Sequence, residues 1–295
     1  MSISAQKKIS RCWVKIPATT TNFGPGFDTF GAALSLYNVI VLERTPQQAP
    51  PWSDSPAMVV ETLKGFEKKT GASLPNFKWS LHSQIPQARG LGSSATVRLG
   101  FLAGLNALAG FPLSKEEILE CAIELEGHPD NVTPAFLGGF ILCGPKKVLR
   151  TRIDPKLFFV AFVPQVEIST ELSRKILPPE IKLKEAVQNL QRASMIAVCF
   201  FEKRYKDLSG LFVDYFHEPY RLASIPYWEE LKRAALEAGA LGFYLSGSGS
   251  TLMAIAYEDP TTVVHALKSE SSRRSLSGEV LVLKPDNIGL RLSYR

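Results

Sequence analysis

No apolar run in the chain reaches the ~18 residues that a membrane-crossing helix needs. The opening stretch, MSISAQKKISRCW, lacks the continuous apolar core of a secretory signal. The four cysteines, Cys12, Cys121, Cys143 and Cys199, stand far apart and form no C-x-x-C pair. They read as buried, reduced thiols of a cytoplasmic protein, which excludes a disulfide framework. No long basic run and no basic–aromatic stripe occurs, so nucleic acid is not an expected partner. No Gly-Lys-Ser/Thr triplet occurs either, which excludes a P-loop. Internal repeats and low-complexity tracts are absent.

What is present is ordinary globular composition: 295 residues, 45% hydrophobic and 21% charged. That is enough for a real core and for two domains. The net charge of +6 is modest, and Arg273, Arg274, Arg291 and Arg295 place part of it near the end of the chain. A solvated surface accounts for it, and so does attraction of a polyanion.

Residues 12–16 alternate and read as a strand, and so do 36–42, 77–81, 140–143, 157–163, 242–245 and 280–283. Residues 17–28, PATTTNFGPGFD, are rich in small and turn-forming residues, and 46–56 hold four prolines and read as a loop. Helices are expected at 57–69, from about 93 to 110, at 114–126 behind the capping box Ser114–Glu117, and just before Gly138-Gly139. Further helices are expected at 170–177, 183–203, 226–238 and 263–270. The helix after residue 93 is apolar nearly all round, so it belongs inside. Strands and helices mix without a strict βαβ rhythm, which argues for an α+β fold with a division near residues 150–156.

The segment Pro86-Gln-Ala-Arg89-Gly90-Leu91-Gly92-Ser93-Ser94-Ala95 carries the strongest chemical signal. Glycines allow positive φ and close approach of main-chain amides to a ligand. The following helix start adds partial positive charge, and together these suit phosphate. Ser93 and Ser94 add hydroxyls, one of them available to Mg²⁺. A glycine turn with a serine cap that binds nothing would use the same residues. Gly90, Gly92 and Ala95 also match the dinucleotide pattern G-x-G-x-x-A formally, but the preceding Pro86 and the helix cap near residue 115 do not fit a Rossmann unit.

Three segments taken in order, 17–28, 86–95 and 245–251 (LSGSGST), resemble the GHMP small-molecule kinases. Two longer stretches, PATTTNFGPGFDTFGAAL at 17–34 and EGHPDNVTPAFLGGF at 126–140, are similar to the branch of that superfamily that phosphorylates L-homoserine, a step toward threonine. The resemblance implies an N-terminal ATP-binding domain with a left-handed βαβ unit over 1–155, and a ferredoxin-like C-terminal domain over 156–295. It implies ATP and Mg²⁺ as cofactors, a small-molecule substrate, no nucleic acid, no membrane, and a homodimer as an allowed assembly. Another kinase of the superfamily, for mevalonate, and a non-catalytic ligand-binding relative stand as alternatives.

The resemblance also distributes roles. Pro86, Arg89, Gly90, Leu91, Gly92, Ser93, Ser94, Ala95 and Thr96 form the nucleotide loop, Gly247 and Gly249 pack against it, and Asn38 contacts adenine. Ser94 and a glutamate before His128-Pro-Asp-Asn hold the metal, with Glu126 preferred to Glu124. Arg174 and Arg221 stand where the substrate carboxylate is bound, through the paired hydrogen bonds that guanidinium offers. Asp28 or Asp130 accepts the substrate ammonium, and His128 contacts the substrate. Asn22 meets the reacting hydroxyl, as an amide can donate and accept. Asn131 occupies a position where related kinases carry a catalytic aspartate, so alignment and metal do most of the work and Asp28 is the fallback base. The chain departs from the usual pattern at Ser250, expected to loosen the third loop, and at Thr96-Val-Arg98.

Overall fold

A computed structural model describes residues 9–46 and 55–295. Most of the opening stretch and most of the proline-rich loop therefore lie outside the described residues. In chain order the elements are β1 (Arg11–Thr21), β2 (Phe30–Arg44), α1 (Ala57–Thr70), β3 (Phe77–Ser83), α2 (Ser93–Leu108), α3 (Lys115–Glu126), α4 (Pro129–Leu137), β4 (Phe140–Cys143) and β5 (Val148–Thr151). There follow β6 (Leu157–Pro164), α5 (Thr170–Lys175), α6 (Leu183–Phe201), α7 (Glu218–Arg221), α8 (Trp228–Glu237), β7 (Gly242–Leu245), β8 (Leu252–Tyr257), α9 (Thr261–Arg273), β9 (Gly278–Leu283) and β10 (Arg291–Tyr294). No helix among the described residues is long and apolar enough to cross a membrane.

Two antiparallel sheets organise the chain. The first runs β10-β1-β2-β4-β5, with β3 also on β2. The second runs β7-β8-β6-β9, the ferredoxin-like order of a split β-α-β pair. The final strand, β10, leaves the second half and closes the edge of the first sheet on β1.

Strand β1 is longer than its composition suggests. The segment from Pro17 is rich in turn-forming residues, yet Thr19–Thr21 pair with Gly31–Ala33. A register shift between Pro17 and Ala18 lets the strand continue past proline, which has no N–H to give to the ladder. The strand delivers Thr19, Thr20 and Thr21, all fully buried, to the centre of the molecule.

Helix α2 lies on β1 and β2 as its apolar sequence required. Leu99, Phe101, Leu102 and Leu105 are fully buried, each contributing about 1.5–3 kcal/mol. Gly100 lets the helix touch the sheet, since a Cβ there would stand 2.6 Å from Ile40 Cδ1 and 2.7 Å from Ile16 Cδ1. The start of α2 is thereby fixed by a rigid layer. Between the two sheets an aromatic cluster of Phe23, Phe140, Phe200 and Tyr244 joins the halves, with Phe23 stacked on Tyr244 and Phe140 on Phe200. All four cysteines are buried and free, and burial pushes the Cys12 thiol up to about 11 and Cys143 to about 12, so they are inert packing groups. The C-terminal arginines are engaged locally: Arg273 and Arg274 pair with Glu270, and Arg291 with Asp286.

Candidate active site

A cleft opens where the end of β1, the loop before α2, the start of α4, and α5 and α7 converge. The glycine loop forms one wall. Gly90 and Gly92 both have positive φ, +73° and +71°. A Cβ on Gly90 would stand 2.0 Å from the Ser246 carbonyl oxygen, and one on Gly92 2.0 Å from Thr19 Oγ1. Only glycine fits either place. The Ser246 hydroxyl donates to the Gly90 carbonyl at 2.7 Å, and the Thr251 amide donates to the Arg89 carbonyl at 3.1 Å. Asn22 Nδ2 donates to the Gly247 carbonyl at 3.0 Å. The three sequence segments that were far apart in the chain are thus laced into one frame.

At the base of this wall the Ser94 hydroxyl donates to Glu126 Oε2 at 2.7 Å. Arg98 Nε lies 3.1 Å from the same oxygen, and Arg98 Nη2 lies 2.9 Å from Glu61 Oε2. Glu124 is exposed and lines a different surface cleft beside Lys68 and Lys69. The start of α4 supplies His128, Asp130 and Asn131. His128 Nδ1 lies 2.6 Å from Asp130 Oδ1, and Thr19 Oγ1 donates to Asn131 Oδ1 at 2.7 Å. Burial opposes the charged imidazole, but the Asp130 hydrogen bond and charge outweigh it, and His128 titrates above its ordinary value.

The far wall holds the charged pair. Arg174 makes two hydrogen bonds to Asp28, at 2.7 and 2.9 Å. Those bonds raise the Arg174 pKa against the opposing effect of burial. Arg221 is 4% exposed. Its Nε donates to the Ser173 carbonyl at 3.2 Å, and its Nη1 donates to the Gly247 carbonyl at 3.1 Å and faces His217 Nδ1 at 3.3 Å. Burial, then the neighbouring Arg174, pull the Arg221 pKa down to about 10, so it stays charged at neutral pH. Phe27 lies under both guanidiniums, at 5.5 Å from Arg174 and 5.2 Å from Arg221.

Comparison with known proteins fits this frame. The profile described as "GHMP kinases N terminal domain" matches residues 57–139, and "GHMP kinases C terminal" matches 197–272. A homoserine kinase of Clostridium beijerinckii is 38% identical over 290 residues, covering 94% of this chain and 96% of its own. The chain belongs to the homoserine kinases, a branch of the GHMP kinases. A homoserine kinase of Thermosynechococcus vestitus is likewise 38% identical, over 96% of this chain and 99% of its own. The crystal structure of homoserine kinase from Cytophaga hutchinsonii superposes with a TM-score of 0.87 at 25% identity, covering 99% of this chain and 100% of that one.

Within this homoserine kinase fold, most residues singled out from the sequence line the one cleft: Asn22, Asp28, Arg89, Gly90, Gly92, Ser93, Ser94, Glu126, His128, Asp130, Asn131, Arg174, Arg221 and Gly247. Others do not reach it. Asn38, expected at adenine, is fully buried and its Nδ2 donates to Thr96 Oγ1 at 2.9 Å, so it braces α2 from behind. Leu91 and Ala95 are buried in the core, Thr96 is fully buried, and Pro86 and Gly249 stand outside the cleft lining. Asn22 has both ends of its amide in use, since its Oδ1 accepts from the Asp28 amide at 3.2 Å, so it holds the two loops together. Ser250 does not loosen the third loop: it is fully buried and its hydroxyl donates to the Val166 carbonyl.

The structure adds residues that the sequence reading passed over. Thr21, Phe27, Thr170 and Ser248 line the cleft, and the buried Thr21 hydroxyl has no hydrogen-bond partner among the described residues. Behind Arg221 sits a buried set: His217 Nε2 faces the Gly24 carbonyl at 3.0 Å, and Asp214 accepts from the His217 and Glu218 amides. Burial, reinforced by Asp214, raises Glu218 to about 8, while burial drives His217 below its ordinary value. The segment HEPYR held both residues, but nothing in it says that they face inward.

Proposed function

We propose that the cleft transfers the γ-phosphate of ATP to the side-chain hydroxyl of L-homoserine, giving O-phospho-L-homoserine. The observation that carries this reading is one of adjacency. A phosphate-shaped glycine loop with a Ser94–Glu126 oxygen pair shares a single cleft with the Asp28–Arg174 ion pair and Arg221. The loop amides and the start of α2 receive the triphosphate. The unpartnered Thr21 hydroxyl is available to a bound ligand.

The far wall is matched to a zwitterion. Asp28 and Arg174 satisfy each other, and Arg221 offers a second buried cation. An amino acid brings an ammonium for a carboxylate and a carboxylate for a guanidinium, so no charge is left unmatched. Arg174 and Arg221 bind the carboxylate, and Asp28 and Asp130 attract the ammonium. His128, held by Asp130, orients the chain carrying the hydroxyl.

Ser94 and Glu126 would hold a divalent cation: both offer hard oxygen and they lie 2.7 Å apart. Mg²⁺ bound there would supply neutralisation of charge on the transferring phosphate. Asn131 leaves the position without a strong base, and its Oδ1 is occupied by Thr19. Catalysis then rests on alignment of the hydroxyl with the γ-phosphate, which a loose transition state favours. The division into an ATP-binding half over 1–155 and a second half over 156–295 belongs to the same reading, with β10 crossing back.

The test is release of ADP in a coupled assay across a panel of alcohols. L-homoserine is expected to turn over far faster than mevalonate or plain amino alcohols. Preference for mevalonate would overturn the reading, and homoserine binding without phosphoryl transfer would mark a non-catalytic relative.

A further inference from the structure

Arg98, in the unusual Thr96-Val-Arg98 stretch, is the only charged residue of α2. It stands one turn beyond Ser94, on the same side of the helix, and both approach Glu126 Oε2. The Arg98 side chain is 12% exposed and that of Glu126 10%. Burying a guanidinium so deeply is costly, and pairing it with a carboxylate does not by itself make a fold more stable. Nor is Arg98 placed as a brace for Glu126. Its Nε stands 3.1 Å from Glu126 Oε2 without the alignment of a hydrogen bond, and its Nη1 is buried with no partner among the described residues. Only Nη2 is aimed, and it donates to Glu61 Oε2 at 2.9 Å. What Arg98 brings to Glu126 is charge rather than direction.

We propose, on the reading of Ser94 and Glu126 as the metal site, that Arg98 reserves this site for a cation carried by a nucleotide and turns away the free cation. With Arg98 beside it, Glu126 offers no net charge, and a divalent cation arriving alone meets little attraction. The rest of the cleft does not make up the difference. Asp28 is taken by Arg174 and Asp130 by His128, and no three of His, Cys, Asp and Glu stand together as a metal cluster among the described residues. A hard divalent cation asks for several oxygen ligands. The phosphates that the glycine loop receives supply them, so metal and nucleotide enter together. A nucleotide–metal complex keeps a net negative charge, so the guanidinium that repels the bare cation attracts the complex. Arg98 thereby selects the form in which the metal is admitted, without touching the reacting atoms.

The experiment measures Mn²⁺ bound to the full chain by electron paramagnetic resonance, with and without ADP, so the readout is binding and not turnover. Loss of Arg98 would leave Glu61 and Glu126 able to chelate an ion between them, so all chains compared carry Glu61→Gln. With Arg98 in place, Mn²⁺ is expected to bind when ADP is present and to stay free at millimolar concentration without it. Arg98→Met is expected to raise the affinity for Mn²⁺ without ADP on the order of 10-fold or more. Adding Glu126→Gln to that variant is expected to abolish the gain. Arg98→Lys keeps the charge in a different shape and is expected to behave as arginine does, which separates charge from packing. Should Arg98→Met fail to fold by circular dichroism, the equally neutral Arg98→Gln takes its place. Chains with Arg98 that bind Mn²⁺ as tightly without ADP as with it overturn the proposal. So does a folded neutral variant that gains no affinity for the free ion, or an Arg98→Lys variant that gains as much as Arg98→Met. If Glu126→Gln alone leaves Mn²⁺ binding with ADP unchanged, the metal lies elsewhere, and both the metal site and the role of Arg98 fall.

Discussion

Arg221→Ala is the substitution that most sharply separates binding of the substrate from upkeep of the cleft. Three of the hydrogen-bond contacts of Arg221 go to the protein, to Ser173, Gly247 and His217, through Nε and Nη1. Nη2 has no protein partner among the described residues and is the edge available to a carboxylate. A charge-assisted hydrogen bond to a buried ion is worth about 1.5–3 kcal/mol, so losing one or two costs roughly 1.5–6 kcal/mol, or about 10- to 10⁴-fold in kcat/KM. The complication is Gly247. Releasing its carbonyl disturbs the loop that packs on Gly90, so some loss in ATP use follows from structure alone. A substrate lacking the carboxylate, 3-amino-1-propanol, isolates the difference, because it has nothing for Arg221 to bind. In a coupled assay of ADP release, the variant is expected to lose about 10²-fold more with homoserine than with the aminoalcohol. The homoserine KM should rise far more than the ATP KM. Equal losses with both substrates would refute the role, leaving Arg221 as a brace for the third loop.

Three further outcomes are expected. Ser94→Ala should raise the Mg²⁺ concentration needed for half-maximal rate while leaving the homoserine KM nearly unchanged, and identical Mg²⁺ titrations would remove Ser94 from the metal site. Gly90→Ala should abolish ATP binding measured by calorimetry, since its Cβ would overlap the Ser246 carbonyl, and retained affinity would show that the loop can yield. Glu218→Gln should flatten the pH dependence of stability. A buried carboxyl raised to about 8 binds its proton more tightly in the native state than in the unfolded chain, so native stability falls as pH rises from about 4.5 to about 8, by an amount on the order of 4 kcal/mol. Glutamine stays neutral and keeps an acceptor for the Leu245 amide, so its urea midpoint should move less between pH 5 and pH 8 than that of the wild type.

The readability of the chain follows the range of the forces involved. Helix α2 was legible because burial on all sides leaves a continuous apolar signature, and α3 because its capping box is local. Strand β1 beyond Pro17 was not, because what keeps Thr19–Thr21 extended is pairing with Gly31–Ala33, a partner that local composition does not reveal. Strands β5, β8 and β10 were missed as well: β5 and β10 have four residues each and pair at an edge, while β8 is a six-residue buried strand whose partners β6 and β7 local composition does not reveal. In the site, glycines and charged residues could be named, but their partners could not. Asn38 reads as a polar group in search of a ligand, and only its place on β2, facing α2, shows that its Nδ2 is taken by Thr96. Ser250 reads as a lost proline, and only the third dimension brings the Val166 carbonyl within its reach.

The same logic explains how the cleft can afford so many charges. Asp28 with Arg174, Asp130 with His128 and Glu126 with Arg98 are each matched within the protein. Every negative group that the proposed chemistry uses is therefore met by a protein donor before a ligand arrives, which holds the carboxylates in place. A ligand that exchanges ion pairs, as a zwitterion does, enters at little electrostatic cost. One that brings a carboxylate alone leaves the acidic side of the wall with nothing new to bind, and forfeits that share of the affinity. On the proposed roles of these residues, selectivity for an amino acid over a hydroxy acid would arise from the pairing of the wall itself, before any contact with the reacting hydroxyl.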